Sequence, residues 1–372
     1  MPCQSRKHPV LFKFRFLCFS LSPTFAQALL TLLVLLSASE SFAKVNGLIH
    51  WQENGVNVVL PKIEGKETNT VPQLYKNALD HSNAYKKYRP FFGKEGSIAD
   101  QFQTGKISDP PEFKKPQEAV PFALFANNTR LMNPKEKPFQ NFKNSFGSAG
   151  ATIFIIPFGI EALLKDKEDL KTYFELISKQ FPALISAGGD DFDPSLYGEK
   201  NKSSIDTNLV RDQTELQLIK EFVTSGQGVF YGVCRGHQAY AVAMGGNLIQ
   251  DLPVQLSPNV IHRPTKNPDG SISSSWHSIT LSGKDNALFQ AVEKETFLVN
   301  SRHHQAVKSL PPGNGEIIAL AGGNVIEAIE KKNSQGQLKV LTFQFHPEGM
   351  EIPDSEKIIK LMVDQARRPR TP

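Results

Sequence analysis

The sequence predicts an α/β fold, a mostly parallel central sheet with flanking helices and an added β-rich segment. Two observations predict it. Short apolar runs at 120–126, 151–158, 183–187 and 228–233 alternate with stretches suited to helices near 136–147, 161–180, 207–225 and 235–244. Strands that alternate with helices indicate βαβ units and hence a parallel sheet. A second set of apolar runs follows at 276–281, 296–300, 316–320, 325–330 and 338–345, and a helix over 355–366, with Ser355 as its N-cap, closes the pattern. With 372 residues, 40% of them hydrophobic, the chain has enough apolar material for a packed core, which excludes a wholly disordered or fibrous protein.

The first element is an expected export signal. Arg6, Lys7, Lys13 and Arg15 precede the apolar run FAQALLTLLVLL at 25–36, and Ser41 and Ala43 place small residues just before Lys44. A basic start, a short apolar run and a small-residue cleavage site make a secretory signal over residues 1–43. The run is short for a spanning helix, which needs about 20 apolar residues, although apolar character extends back to Leu17 and an uncleaved membrane anchor is the alternative. Removal of this segment takes away four basic residues and one acid, Glu40, so the net charge falls from +5 to +2. That balance gives no sign of a nucleic-acid partner, and no membrane partner is expected after cleavage. Of three cysteines, Cys3 and Cys18 leave with the signal, and Cys234 remains alone. An intramolecular disulfide is then impossible, and a lone thiol in an exported chain must be buried or used.

Residues 44–117 read as an N-terminal extension. They contain one apolar alternation, Val56 to Leu60, a Tyr/Lys-rich stretch from Tyr85 to Tyr88, and a Pro-rich linker at 109–117. The domain that carries the chemistry is expected over 118–372.

Within it, Gly228–Gln238 reads GVFYGVCRGHQ. Glycines two before and two after Cys234 allow a sharp strand-to-helix turn, the geometry of a nucleophile elbow with Cys in place of Ser. A helix N-terminus favours thiolate over thiol, and the Arg235 amide would face the oxygen that gains charge during attack. A cysteine that merely packs fits G-x-C-x-G as well. The segment from Phe343 to Glu348, FQFHPE, supplies a candidate base. His346 falls at a strand end before Pro347, and Glu348 can reach its far nitrogen, fixing the tautomer as a triad acid does. An isolated H-P-E is otherwise a strand-end histidine with a solvated acid. In LISAGGDDFDPSLYGE, 184–199, a strand ends at two glycines, so the Gly189 amide can approach a substrate oxygen as a second oxyanion donor. Asp190, Asp191 and Asp193 lack the spacing of a calcium loop, and adjacent His303 and His304 would face opposite ways. No metal or cofactor is therefore expected. His237 reads as a surface or packing residue of the elbow helix.

These motifs resemble the class I glutamine amidotransferase-like superfamily, and more closely the gamma-glutamyl-gamma-aminobutyrate hydrolase family. The resemblance rests on GGDDFDPSLYGE (188–199), RDQTE (211–215), GVCRGHQAYAVAMGGNLIQDL (232–252), VNSRHHQ (299–305) and QFHPE (344–348), and covers about residues 118–366. It implies a flavodoxin-like doubly wound sheet and a Cys-His-Glu triad of Cys234, His346 and Glu348. It also implies oxyanion amides at Gly189 and Arg235, substrate contacts at Gln238, His304 and Gln305, and a small gamma-glutamyl substrate cleaved through a thioester. The export signal and the 44–117 extension depart from that family. A glutaminase feeding a synthetase, or a catalytically inactive binding protein of the same fold, are the alternative readings.

Overall fold

In chain order the first strands are β1 (Val45–Glu53) and β2 (Val56–Ile63), an antiparallel hairpin. Helix α1 (Val71–His81) and the short β3 (Lys106–Ser108), antiparallel to β1, follow. This is a computed structural model, and it describes residues 44–53, 55–84, 106–108, 119–257, 262–263, 265–266, 272–273 and 275–369. The expected export signal, the Tyr/Lys-rich stretch and the 109–117 linker lie outside the described residues.

Strict alternation then sets in: β4 (Val120–Phe125), α2 (Lys137–Ser148), β5 (Ala151–Ile156), α3 (Lys167–Gln180), β6 (Ala183–Ser186), α4 (Leu209–Ser225), β7 (Val229–Val233) and α5 (Arg235–Ala243). Every residue of β4, β6 and β7 is buried, which is why these strands read as unbroken apolar runs: both their faces are covered. Helix α3 starts later than the apolar pattern from 161 suggests, because the Asp166 side chain accepts from the amides of Glu168 and Asp169 and caps it there.

The β-rich part comprises β8 (Asn247–Ile249), a short helix α6 (Leu252–Gln255), the small pair β9 (Thr265–Lys266) and β10 (Ile272–Ser273), and β11 (Ser275–Leu281). Helix α7 (Ala287–Val292), β12 (Thr296–Ser301), β13 (Ala306–Ser309), β14 (Glu316–Ala321), β15 (Val325–Lys332) and β16 (Leu338–Phe343) lead to the last helix, α8 (Pro353–Arg367).

The main sheet runs β12-β11-β14-β15-β16-β7-β6-β4-β5-β2-β1-β3. From β16 to β2 all neighbours are parallel, and both flanks are antiparallel. Taken in chain order, β4, β5, β6, β7 and β16 stand in the spatial order 2-1-3-4-5, the flavodoxin-like doubly wound arrangement. Helices α3, α4 and α5 pack along one another, as do α2 and α7 with α8. The winding therefore reverses between β4 and β6, and ligands of such sheets bind at that reversal, beyond the carboxyl ends of the strands. The hairpin of the extension adds to the open edge, where Val58 pairs with Ile155 of β5, so residues 45–63 belong to the same sheet as the site. No helix among the described residues is long and apolar enough to cross a membrane.

Candidate active site

A cavity of about 600 Å³ opens where the winding reverses. Asn128 and Arg130 reach it from the end of β4, Gly188 and Gly189 from β6, Cys234 from β7, and His346 and Glu348 from β16.

Cys234 occupies the turn between β7 and α5 with φ 52° and ψ −101°, a conformation that side-chain-bearing residues rarely adopt. The turn holds because its backbone is pinned. The Cys234 amide donates to the Phe343 carbonyl at 2.7 Å, and its own carbonyl accepts from the His237 amide at 3.1 Å. Both flanking glycines are needed. A Cβ on Gly232 would lie 2.6 Å from the Gly236 carbonyl oxygen, and one on Gly236 would lie 2.0 Å from that of Ser186. The sulfur sits on a residue 7% exposed, at the first turn of α5.

His346 faces it. Its Nδ1 lies 2.8 Å from Glu348 Oε1, which leaves Nε2 for the Cys234 side. Burial works against charge on this imidazole. The Glu348 carboxylate and the charge that Cys234 carries on ionising outweigh it, so the pKa rises to about 10. The imidazolium is thus the form present below about pH 10, as a thiolate–imidazolium pair requires. Asn300 clamps the histidine from both sides: its Oδ1 accepts from the His346 amide at 2.8 Å, and its Nδ2 donates to the His346 carbonyl at 3.1 Å. Gly188 is small for the same reason, since a Cβ there would stand 2.6 Å from His346 Cε1. Beside it, a Cβ on Gly189 would strike the buried Asn127, whose Nδ2 donates to the Ala187 carbonyl at 2.7 Å.

The RDQTE motif holds this floor together. The Arg235 guanidinium is committed to Asp212, at 2.6 Å, and to Glu215, both fully buried on α4, and it lies 3.9 Å over the Phe192 ring. These contacts use the side chain and leave its backbone amide at the start of α5. Arg211 bonds Asp212 at 2.8 Å, the Asp190 carboxylate at 3.2 Å and the Asp191 carbonyl at 3.0 Å, tying the glycine-pair loop to the same helix.

Three expected substrate contacts are placed elsewhere. Gln238 donates to the Gln305 carbonyl and to Gln344 Oε1, at 3.0 and 3.1 Å, and is buried. Gln305 donates to Ser204 Oγ at 2.8 Å. His304 Nε2 lies 2.9 Å from Asp191 Oδ2. None of the three lines the cavity; they brace its loops. His237 is fully buried against Thr342 Oγ1 at 2.8 Å, and burial lowers its pKa to about 4, so it is a neutral packing residue. His303 and His304 do face different ways, the former toward His262 and the latter toward Asp191.

A cysteine on a strained elbow at the reversal of a flavodoxin-like sheet, opposite a buried His–Glu pair, is an arrangement suited to acyl transfer from amides. Residues 126–348 match the Peptidase C26 family, and the chain belongs to that family, within the glutamine amidotransferase-like superfamily of hydrolase and amidotransferase-like enzymes. Among relatives, the glutamine amidotransferase-like protein YvdE of Lactococcus lactis subsp. lactis is 34% identical over 212 residues, 56% of this chain and 79% of that protein. The protein NtpR of Enterococcus hirae is 32% identical over 210 residues, covering 56% and 80%. The gamma-glutamyl-gamma-aminobutyrate hydrolase of Escherichia coli O157:H7 is 28% identical over 180 residues, covering 47% and 66%.

Proposed function

We propose that this protein is an exported, cysteine-dependent gamma-glutamyl hydrolase. The observation that carries the proposal is the placement of Cys234, in a left-handed elbow, against the His346–Glu348 pair in an open cavity. The Cys234 thiolate attacks the gamma-carbonyl, while the Gly189 and Arg235 amides hold the oxyanion. His346 Nε2 then gives its proton to the leaving amine, and a thioester to the glutamyl group remains. Water attacks that thioester with His346 as base, releasing glutamate and restoring the thiolate. A gamma-glutamyl group carries an α-ammonium and an α-carboxylate. The cavity lining carries both signs, Asp190 and Asp206 on one hand and Arg130 and Arg302 on the other, with Asp190 also paired to Arg211 and Arg130 to Glu136.

The test is mass spectrometry of products from glutamine, gamma-glutamyl amines and gamma-glutamyl peptides. Glutamate release from at least one gamma-glutamyl amine or peptide, faster than from glutamine, is expected. Release from none of them overturns the proposal. Transfer of glutamine nitrogen to an added acceptor, in place of its release as free ammonia, would favour the amidotransferase reading, which the likeness to YvdE supports equally. The protein is taken from outside the producing cells, where its first residue is expected at or near Lys44. An intact Met1 on active protein retained inside the cells removes the export part.

Glu348 tests the role of the pair. In Glu348→Gln the largest influence raising the His346 pKa is gone, so the imidazolium gives way at lower pH than in the parent. Alkylation by iodoacetate relative to iodoacetamide, followed against pH, should lose its charge-assisted excess at correspondingly lower pH. Turnover should drop at least about tenfold, because an amide no longer stabilises the charged imidazole. Turnover within about twofold of the parent would make Glu348 a bystander.

A further inference from the structure

Behind the catalytic edge, the antiparallel arm encloses a second group of ionisable side chains that the proposed chemistry does not use. Glu327 projects from β15 and is fully buried. Around its Oε1 stand three imidazole nitrogens: His277 Nε2 of β11 at 3.1 Å, His262 Nδ1 at 3.4 Å and His303 Nε2 at 3.7 Å. His262 Nδ1 and His303 Nε2 are themselves 3.2 Å apart. His262 and His303 are 4% and 5% exposed.

The orientation of His303 is fixed. Its Nδ1 lies 2.9 Å from the Gln305 carbonyl, which can only accept, so Nδ1 carries the hydrogen and Nε2 presents a lone pair to the cluster. A backbone carbonyl holding the far nitrogen of an imidazole is also how metal-ligating histidines are set. Glu327 Oε2, buried, has no hydrogen-bond partner among the described residues, an expensive state for an oxygen of an ionised carboxylate. Burial alone would raise the Glu327 pKa, but the imidazoles hold it well below the usual range, while burial lowers that of His303.

We propose that His262 Nδ1, His303 Nε2 and Glu327 form a binding site for a divalent transition metal of the zinc type. The geometry points to it. Tetrahedral zinc with bonds of about 2.0–2.2 Å to nitrogen and oxygen sets its ligand atoms roughly 3.3–3.5 Å apart. The three separations here, 3.2, 3.4 and 3.7 Å, span that edge length, so a modest adjustment admits the ion. Two neutral imidazoles and one carboxylate are also the donor chemistry zinc takes. His277 completes the set, orienting the carboxylate through Oε1 or taking the fourth position itself.

The site is structural. The Ser301 hydroxyl donates to the His262 carbonyl at 2.7 Å, and the His303 amide does so at 3.1 Å. A metal there would fasten His262 to the end of β12, next to the Asn300 that clamps His346.

The experiment uses the full chain, as the parent and as Cys234→Ser so that this thiol does not compete. Each is incubated with equimolar zinc, dialysed and assayed by plasma mass spectrometry, and cobalt is substituted to read coordination. About one equivalent of zinc is expected in both proteins. The cobalt spectrum should show the strong visible bands of a four-coordinate site without thiolate charge transfer. Glu327→Gln, which keeps the shape of the side chain, and His262→Ala should each cut metal affinity by at least about tenfold, with circular dichroism confirming the fold. Metal below about 0.1 equivalent in both proteins overturns the site, and so does retention undiminished in both folded variants.

Discussion

Replacing Cys234 by serine is expected to abolish turnover, by at least about 10³-fold, while leaving the melting temperature nearly unchanged. The size of the effect follows from the proton inventory of the site. An imidazole that keeps its proton to about pH 10 beside Glu348 and Cys234 is matched to a nucleophile acidic enough to react as an anion, as thiols in general are. A serine hydroxyl is not, and a protonated imidazole cannot act as its base. The elbow itself survives, because the hydrogen bond its amide donates to the Phe343 carbonyl and the glycines on either side do not depend on sulfur. Glutamate release and thermal melting, measured side by side, check both halves. A serine variant within tenfold of the parent would eliminate the thioester route.

Arg235→Met is expected to have the largest effect on stability, a loss of about 3–5 kcal/mol, since removing one partner strands a buried charge. Asp212 keeps Arg211 at 2.8 Å, but among the described residues Glu215 keeps only the Ser186 hydroxyl. At neutral pH that carboxylate must either stay charged without a cation or take up a proton. The loss should therefore shrink as pH falls, and Arg235→Met combined with Glu215→Gln should recover much of it. Urea unfolding at two pH values measures this. A loss below about 1 kcal/mol would show that the network under the elbow is not what holds α4 against α5.

The parallel half of the fold is readable from sequence because β4, β6 and β7 are covered on both faces and so appear as uninterrupted apolar runs. The elbow and the His346–Glu348 pair are readable because each is local, set by glycines or by residues two apart. Asn300 and Asn127 are different. Each acts on a strand end distant in sequence, and nothing near either residue marks that task. The same holds for the cluster of His262, His277, His303 and Glu327, which the fold gathers from two strands and two loop positions far apart in sequence. For the hairpin at 45–63 a signal did exist. Asn54-Gly55 stands between two apolar segments, the strongest short-range mark of a hairpin, and Gly55 has φ 79°. In β1 the polar residues interrupt the alternation, which hides the strand to its left.

That hairpin has a consequence for how the chain is made. During synthesis β1 and β2 leave the ribosome well before the strand that receives them, β5, which follows roughly a hundred residues later. Until then the hairpin must carry Val56, Val58 and Leu60, which the finished sheet buries, without their partner surface. Once β5 arrives, the hairpin takes over a parallel edge that would otherwise offer its unpaired amides and carbonyls to other chains. The extension is thus a built-in edge guard, and a chain begun at residue 118 would display the edge it normally hides.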